Sequence, residues 1–159
     1  MRRLAGITLV GLTLATIVSG VAPAAARGSC TQTGTNQADN LRGRKGDDIL
    51  CGRDGNDRLA GRGGDDRLRG QKGRDLLIGG SGGDTLKGGA EGDTLLGGPG
   101  SDRLSGGLGA DIIDASGGGE DIVRAGGGRD VCFVDADDDV RGCEAIGDRA
   151  LLRLLLAAV

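Results

Sequence analysis

Aliphatic side chains return along this chain at a fixed interval of nine: Leu41, Leu50, Leu59, Leu68, Leu77, Leu86, Leu95, Leu104 and Ile113. Leu86 stands between Thr85 and Lys87, and Leu68 between Arg67 and Arg69. Side chains of a strand alternate between its two faces, so such a triplet predicts a very short strand that buries its central residue and exposes the other two. An aspartate precedes each aliphatic position by two: Asp39, Asp48, Asp57, Asp66, Asp75, Asp84, Asp93, Asp102 and Asp111. Five residues before each aspartate stands a glycine: Gly34, Gly43, Gly52, Gly61, Gly70, Gly79, Gly88, Gly97 and Gly106. Three columns held in phase over nine repeats define a repeat protein. Each nonapeptide has room for one strand and one turn, and aspartate and glycine take the turn. One coil has almost no core of its own, whereas stacked coils bury a continuous aliphatic ladder.

Composition agrees. The chain of 159 residues has 35 glycines, one aromatic residue (Phe133) and no Trp, Tyr or His. Aromatic side chains dominate ordinary cores, so a core of large side chains is excluded. Collagen needs glycine at every third position and far more proline than the two residues present.

The pattern resembles the RTX, or haemolysin-type, calcium-binding nonapeptide, Gly-Gly-x-Gly-x-Asp-x-aliphatic-x. The segments Gly79-Gly80-Ser81-Gly82-Gly83-Asp84-Thr85-Leu86-Lys87 and Gly97-Gly98-Pro99-Gly100-Ser101-Asp102-Arg103-Leu104-Ser105 match it best. The resemblance covers about residues 34–133 and implies an all-β fold, a right-handed parallel β-roll in which two repeats complete one coil. It also implies that turn glycines, among them Gly89, Gly107 and Gly109, shape the sites.

In such a roll, aspartates 18 residues apart stack into two ladders separated by about 4.8 Å per rung. Two carboxylates that close repel by about 1 kcal/mol in water and about 3.5 kcal/mol at an effective dielectric of 20. A divalent cation between turns reverses the sign. Calcium accepts six to eight hard oxygen ligands in loose geometry. Magnesium requires stricter octahedral geometry, and zinc favours His and Cys sets. Several calcium ions are therefore expected on the aspartate column. The competing view, that these aspartates only cap tight turns, suits one isolated Asp better than nine in register. Early repeats depart from the pattern, with Arg44, Arg53, Arg62 and Gln71 at the second glycine position and Glu91 at the fourth. Weaker sites are expected there, and the firmest from Gly79 to Asp114.

After Asp111 the phase slips by one, giving Asp121 and Asp130 as less regular ligands and a widened turn within Ala115–Arg124. Residues 134–147 abandon the glycine pattern and read as a terminal cap, as residues 27–33 do at the other end. The acidic run Asp135, Asp137, Asp139 fails as an EF-hand, because Val140 stands where glycine belongs and Ile146 where the bidentate Glu belongs.

Residues 1–26 read as a secretory signal peptide, with Arg2 and Arg3, an apolar stretch and Ala24-Ala25-Ala26. An uncleaved anchor is the competing reading, and a lipoprotein anchor at Cys30 lacks the preceding aliphatic residue. The apolar tail 148–159 is helix-prone or frayed and too short to span a bilayer, so stable membrane insertion of the mature chain is not expected. In an exported chain the four cysteines are expected in disulfides. In the roll, Cys51 and Cys132 lie 81 residues apart, about 20 Å along the axis, beyond the ~7 Å that a disulfide tolerates. Cys30–Cys51 and Cys132–Cys143 are the expected pairs.

Net charge is −3. Residues 27–75 carry 11 Lys/Arg against 8 Asp/Glu, and residues 76–159 carry 7 against 15. The basic half suggests a polyanion surface, but its arginines alternate with aspartates, so internal compensation is expected. No aromatics are available to stack bases, and no nucleic-acid partner is expected. An enzyme is not expected either. Without His there is no Ser-His-Asp triad and no HExxH site. Aspartates in shallow exposed turns would lack the raised pKa of a general acid. The sequence thus points to a secreted, non-catalytic, calcium-binding module. The alternative is a calcium-dependent adhesion protein whose outer strand faces dock a protein or a polysaccharide.

Overall fold

The computed structural model describes residues 28–147. The predicted leader and the apolar tail lie outside the described residues.

A β-solenoid of about six turns results, built wholly from short strands in parallel sheets. In chain order these are β1 (Gln32–Thr33), β2 (Asn40–Arg42), β3 (Ile49–Asp54), β4 (Arg58–Gly63), β5 (Arg67–Lys72), β6 (Leu76–Ser81) and β7 (Thr85–Ala90). There follow β8 (Thr94–Leu96), β9 (Arg103–Leu108), β10 (Ile112–Asp114), β11 (Ile122–Gly127), β12 (Val131–Phe133), β13 (Asp139–Arg141) and β14 (Ala145–Ile146). Odd strands form one seven-stranded sheet and even strands the other. Pairing joins residues 18 apart, as in Leu50↔Leu68 and Leu77↔Leu95. The parallel β-roll that the nonapeptide implies is the observed fold.

The aliphatic column is the core. Leu50, Leu59, Leu68, Leu77, Leu86, Leu95, Leu104 and Ile113 are fully buried, and Val123 and Cys132 extend the stack beyond the phase slip. Burying one Leu contributes about 1.5–3 kcal/mol, so the ladder supplies the cohesion that large side chains give elsewhere. Leu41, at the end of the stack, is only half-buried. The extra residue is absorbed in the turn before Asp121, after which Ile113 pairs with Cys132, 19 residues on.

Both expected disulfides are present, Cys30–Cys51 and Cys132–Cys143, with Cα–Cα distances of 6.0 and 5.9 Å. Each staples neighbouring coils at one end of the roll. Three strands lie outside the eleven Asp-led repeats: β1 precedes them, while β13 and β14 continue the two sheets past the last one.

Candidate metal centres

Each repeat aspartate sits directly before a strand, two residues from its inward aliphatic neighbour, and therefore also points inward. From Asp57 to Asp130 all nine are at most 3% exposed. This corrects the expectation of shallow, exposed carboxyls. The reason lies on the opposite side of the turn, where the first glycine of the repeat faces the carboxylate and has no side chain to displace it. A Cβ on Gly70 would collide with Oδ2 of Asp75 and lie 2.9 Å from the carbonyl oxygen of Gly88. Equivalent crowding holds at Gly52, Gly61, Gly79, Gly88 and Gly106.

The two oxygens of each carboxylate have different fates. Oδ1 accepts the backbone N–H of the aspartate one coil earlier: Asp57 to Asp75, Asp66 to Asp84, Asp75 to Asp93 and Asp84 to Asp102, each at 2.8 Å. The ladder crosses the phase slip intact, from Asp102 to Asp121 at 2.7 Å and from Asp111 to Asp130 at 2.9 Å. Asp121 and Asp130 are thus as regular as the rest. Oδ2 is buried without any hydrogen-bond partner in all nine, Asp57, Asp66, Asp75, Asp84, Asp93, Asp102, Asp111, Asp121 and Asp130. Asp39 and Asp48 differ. Oδ2 of Asp39 accepts the N–H and hydroxyl of Thr35, and Oδ2 of Asp48 accepts the N–H of Arg44 at 2.7 Å.

Backbone conformation at the second turn position separates the two groups. Gly80, Gly89, Gly98 and Gly107 have positive φ, and so do Arg53, Arg62 and Gln71, at 92°, 90° and 90°. Arg53 pairs with Gln71, and Arg62 with Gly80, inside the sheet ladders, and neither donates to the Oδ2 of its repeat's aspartate. The irregular repeats therefore keep the glycine conformation at a steric cost of about 1–3 kcal/mol each. Glu91, at the fourth position, does the same at 75°. Their aspartates are buried and unpartnered like those of the double-glycine repeats.

Burial shifts the acids. Removal from water pushes Asp66, Asp75, Asp102 and Asp121 up to about 6 and Asp93 up to about 7. The N–H received from the preceding rung opposes this shift, and negative neighbours add to it. Asp57, Asp84 and Asp111 are raised for the same leading reason. Asp39 moves down instead, because Thr35 donates to it.

Two ladder members escaped sequence reasoning. Asp138 accepts the N–H of Asp121 at 3.0 Å, and Glu144 accepts that of Asp130. They lie 17 and 14 residues on, so a strict nine-residue period hides them. The grammar acid-x-aliphatic, Asp138-Asp139-Val140 and Glu144-Ala145-Ile146, would have found both.

The donor set fits a hard cation. From Asp57 to Asp93 and again at Asp111, the unpartnered carboxylate oxygen and a carbonyl oxygen of the next coil crowd the same glycine, a set of oxygen donors alone. Among the described residues no three His, Cys, Asp or Glu side chains converge as a metal-holding group, so a metal held here would take its remaining ligands from backbone carbonyls, which calcium accepts and zinc does not favour. Among the described residues there is also no helix long and apolar enough to cross a membrane.

No curated protein matches this chain. The family model for the RTX calcium-binding nonapeptide repeat (4 copies) matches residues 33–68, 52–86, 60–95, 87–119 and 115–140. With a period, a two-sheet solenoid and a column of buried carboxylates all in one register, the chain belongs to the RTX calcium-binding nonapeptide repeat family.

Proposed function

We propose that this protein is a secreted, non-catalytic structural module whose roll forms when calcium binds, with Asp57 to Asp130 as the principal ligands. Asp39 and Asp48 complete the column as weaker sites, since donors already occupy their Oδ2 atoms. The observation that carries this reading is the row of nine buried Oδ2 atoms with no donor. An ionised carboxylate taken out of water without a partner is strongly unfavourable, and here the cost recurs at every rung. Calcium, when bound, supplies the missing positive charge and ties successive coils together. A ligand that binds only the folded state adds its binding free energy to folding, so the calcium-free chain is expected to be largely unfolded at neutral pH.

Secretion is supported by the leader-like residues 1–26 and by two disulfides, which persist in oxidising compartments. Raised carboxyl pKa values often mark acid–base catalysts. Here they sit inside the roll, at most 3% exposed, where no substrate reaches them, and this favours a structural role.

Far-UV circular dichroism of the mature protein, with disulfides intact, tests the reading. Little β signal in chelator and a cooperative gain on calcium titration are expected, with several ions taken up by calorimetry. A fully ordered roll in EDTA at pH 7 would overturn it.

A further inference from the structure

Odd and even repeats alternate in sequence but end up in different sheets, and this sorts the outward charges. The strands of the odd sheet carry eight Lys/Arg (Arg53, Arg67, Arg69, Lys72, Lys87, Arg103, Arg124, Arg141) against two Asp. Both of those acids are already matched: Asp54 by Lys72 at 3.2 Å and Asp139 by Arg141 at 3.6 Å. The even sheet carries only three Arg, and its outward positions turn apolar at Leu76, Ile78, Leu96 and Ile112. The repeat aspartates that alternate with the arginines in sequence point inward and form no ion pair with them, which corrects the expected internal compensation.

The cations are also aligned. Register places Arg69 beside Lys87, then Ser105, Arg124 and Arg141 in one row along the roll axis. A second row holds Arg67, Thr85 and Arg103. At about 4.8 Å per strand, this makes a two-row ribbon of guanidinium and ammonium donors interleaved with hydroxyls. Arginine pairs bidentately with carboxylate and sulfate-like oxyanions. We propose that the outer face of the odd sheet is a docking surface for a linear anionic polysaccharide lying along the roll axis. A single nucleic-acid strand would want aromatic stacking platforms, which the chain lacks. A lipid surface would want several apolar side chains to insert, and on this sheet Leu108 alone among the large aliphatics is exposed, Ile49 being buried and Ile122 half-buried. The inference rests on the folded roll, and so on the calcium-dependent folding proposed above, which is why the calcium-saturated protein is the form to test.

Binding of size-defined heparin to the calcium-saturated mature protein tests it. Neutral dextran, single- and double-stranded DNA, and phosphatidylserine vesicles serve as comparisons. Expected is salt-sensitive binding to heparin, weakened at least tenfold by Arg67→Ser, Arg69→Ser and Lys87→Ser together. The charge-matched set Arg42→Ser, Arg44→Ser and Arg58→Ser, outside the odd sheet, should leave affinity within twofold. Both sets must keep the parent's far-UV spectrum and calcium uptake, which are read separately. Equal loss in both sets, no binding to heparin, or tighter binding to DNA or vesicles would overturn the proposal.

Discussion

The backbone N–H of Asp75 donates to Oδ1 of Asp93 at 2.8 Å, while Oδ2 of Asp93 is buried with no donor at all. On the proposed reading one carboxylate has two separable tasks, holding the preceding coil through one oxygen and binding calcium through the other. Asp93→Asn separates them. The amide keeps an oxygen for Asp75 N–H but removes the charge. In chelator the variant should be more stable than the parent, having lost a buried charge. In calcium it should be less responsive, with a loss of about 1–3 kcal/mol for a charged interaction, or roughly 5- to 150-fold at that rung. Paired melts in EDTA and in calcium check both signs, and a variant destabilised equally in both would contradict the division of labour.

Acid should replace calcium. In the metal-free roll Asp93 is pushed up to about 7, and Asp66, Asp75, Asp102 and Asp121 to about 6, chiefly by burial. Asp93 faces Asp75 and Asp111 on adjacent rungs, with Glu91 nearby, and all of them oppose its ionisation. Folded pKa values above the unfolded value mean that the folded state binds more protons between about 4 and 7. The stability they contribute is complete below about 4 and is lost as pH rises through 6 to 7. Chelated protein should therefore gain β structure on titration from pH 8 to pH 4.5, and calcium should abolish this dependence. Asp39, shifted the other way, is a single group. A chelated protein whose spectrum is flat over that range would refute the prediction.

The glycine facing each carboxylate should be irreplaceable in the middle of the roll. At Gly70 an added methyl meets Asp75 Oδ2 and the Gly88 carbonyl, and overpacking of this kind costs about 1–3 kcal/mol. Gly70→Ala should also weaken calcium binding, because the carboxylate has to move. Gly127→Ala is the control: φ there is ordinary, and the new methyl would lie 3.7 Å from Leu108, so stability should change little. Thermal melts in calcium distinguish the two. The chain itself has alanine, Ala125, five residues before Asp130, where the coil beyond is shortened to Asp139–Arg141.

Much of this arrangement was legible in the sequence because a nine-residue period leaves one inward aliphatic position per strand, and two repeats per coil fix which residues stack. The disulfides followed, since axial distance scales with residue number. Burial of the aspartates was not legible, because it depends on Gly70 or its equivalent opposite each carboxylate, and proximity across a turn is not a sequence pattern. Nor was the sorting of charge between sheets, which needs odd and even strands considered apart. Nor was it legible which irregular repeats keep the glycine conformation. Arg62 suggested a poorer site, yet its φ of 90° reproduces the glycine backbone, so the strain appears as stability and not as lost geometry. Arg62→Gly should accordingly stabilise the calcium-loaded roll by about 1 kcal/mol, the left-handed penalty less part of the entropy of glycine. A fall in melting temperature would show that the arginine stem packs better than its backbone suffers.

The disulfides should matter most when calcium is scarce. They close loops of 21 and 11 residues, and limiting the unfolded chain in this way contributes about 3 kcal/mol each. They act at the ends, where the ladder is least complete: Cys30–Cys51 beside the half-buried Leu41, and Cys132–Cys143 beside the closing acceptors Asp138 and Glu144. Fraying of a solenoid begins at its ends, so both staples restrain the coils that open first. Replacing either pair by alanine should raise the calcium concentration needed for half-folding, with the Cys132–Cys143 variant exposing the Asp121 and Asp130 rungs to early exchange. Hydrogen exchange of those two amides relative to Asp84 provides the measurement. Uniform exchange along the roll in the variant would mean that the coils melt as one unit and that the staple does not guard the end.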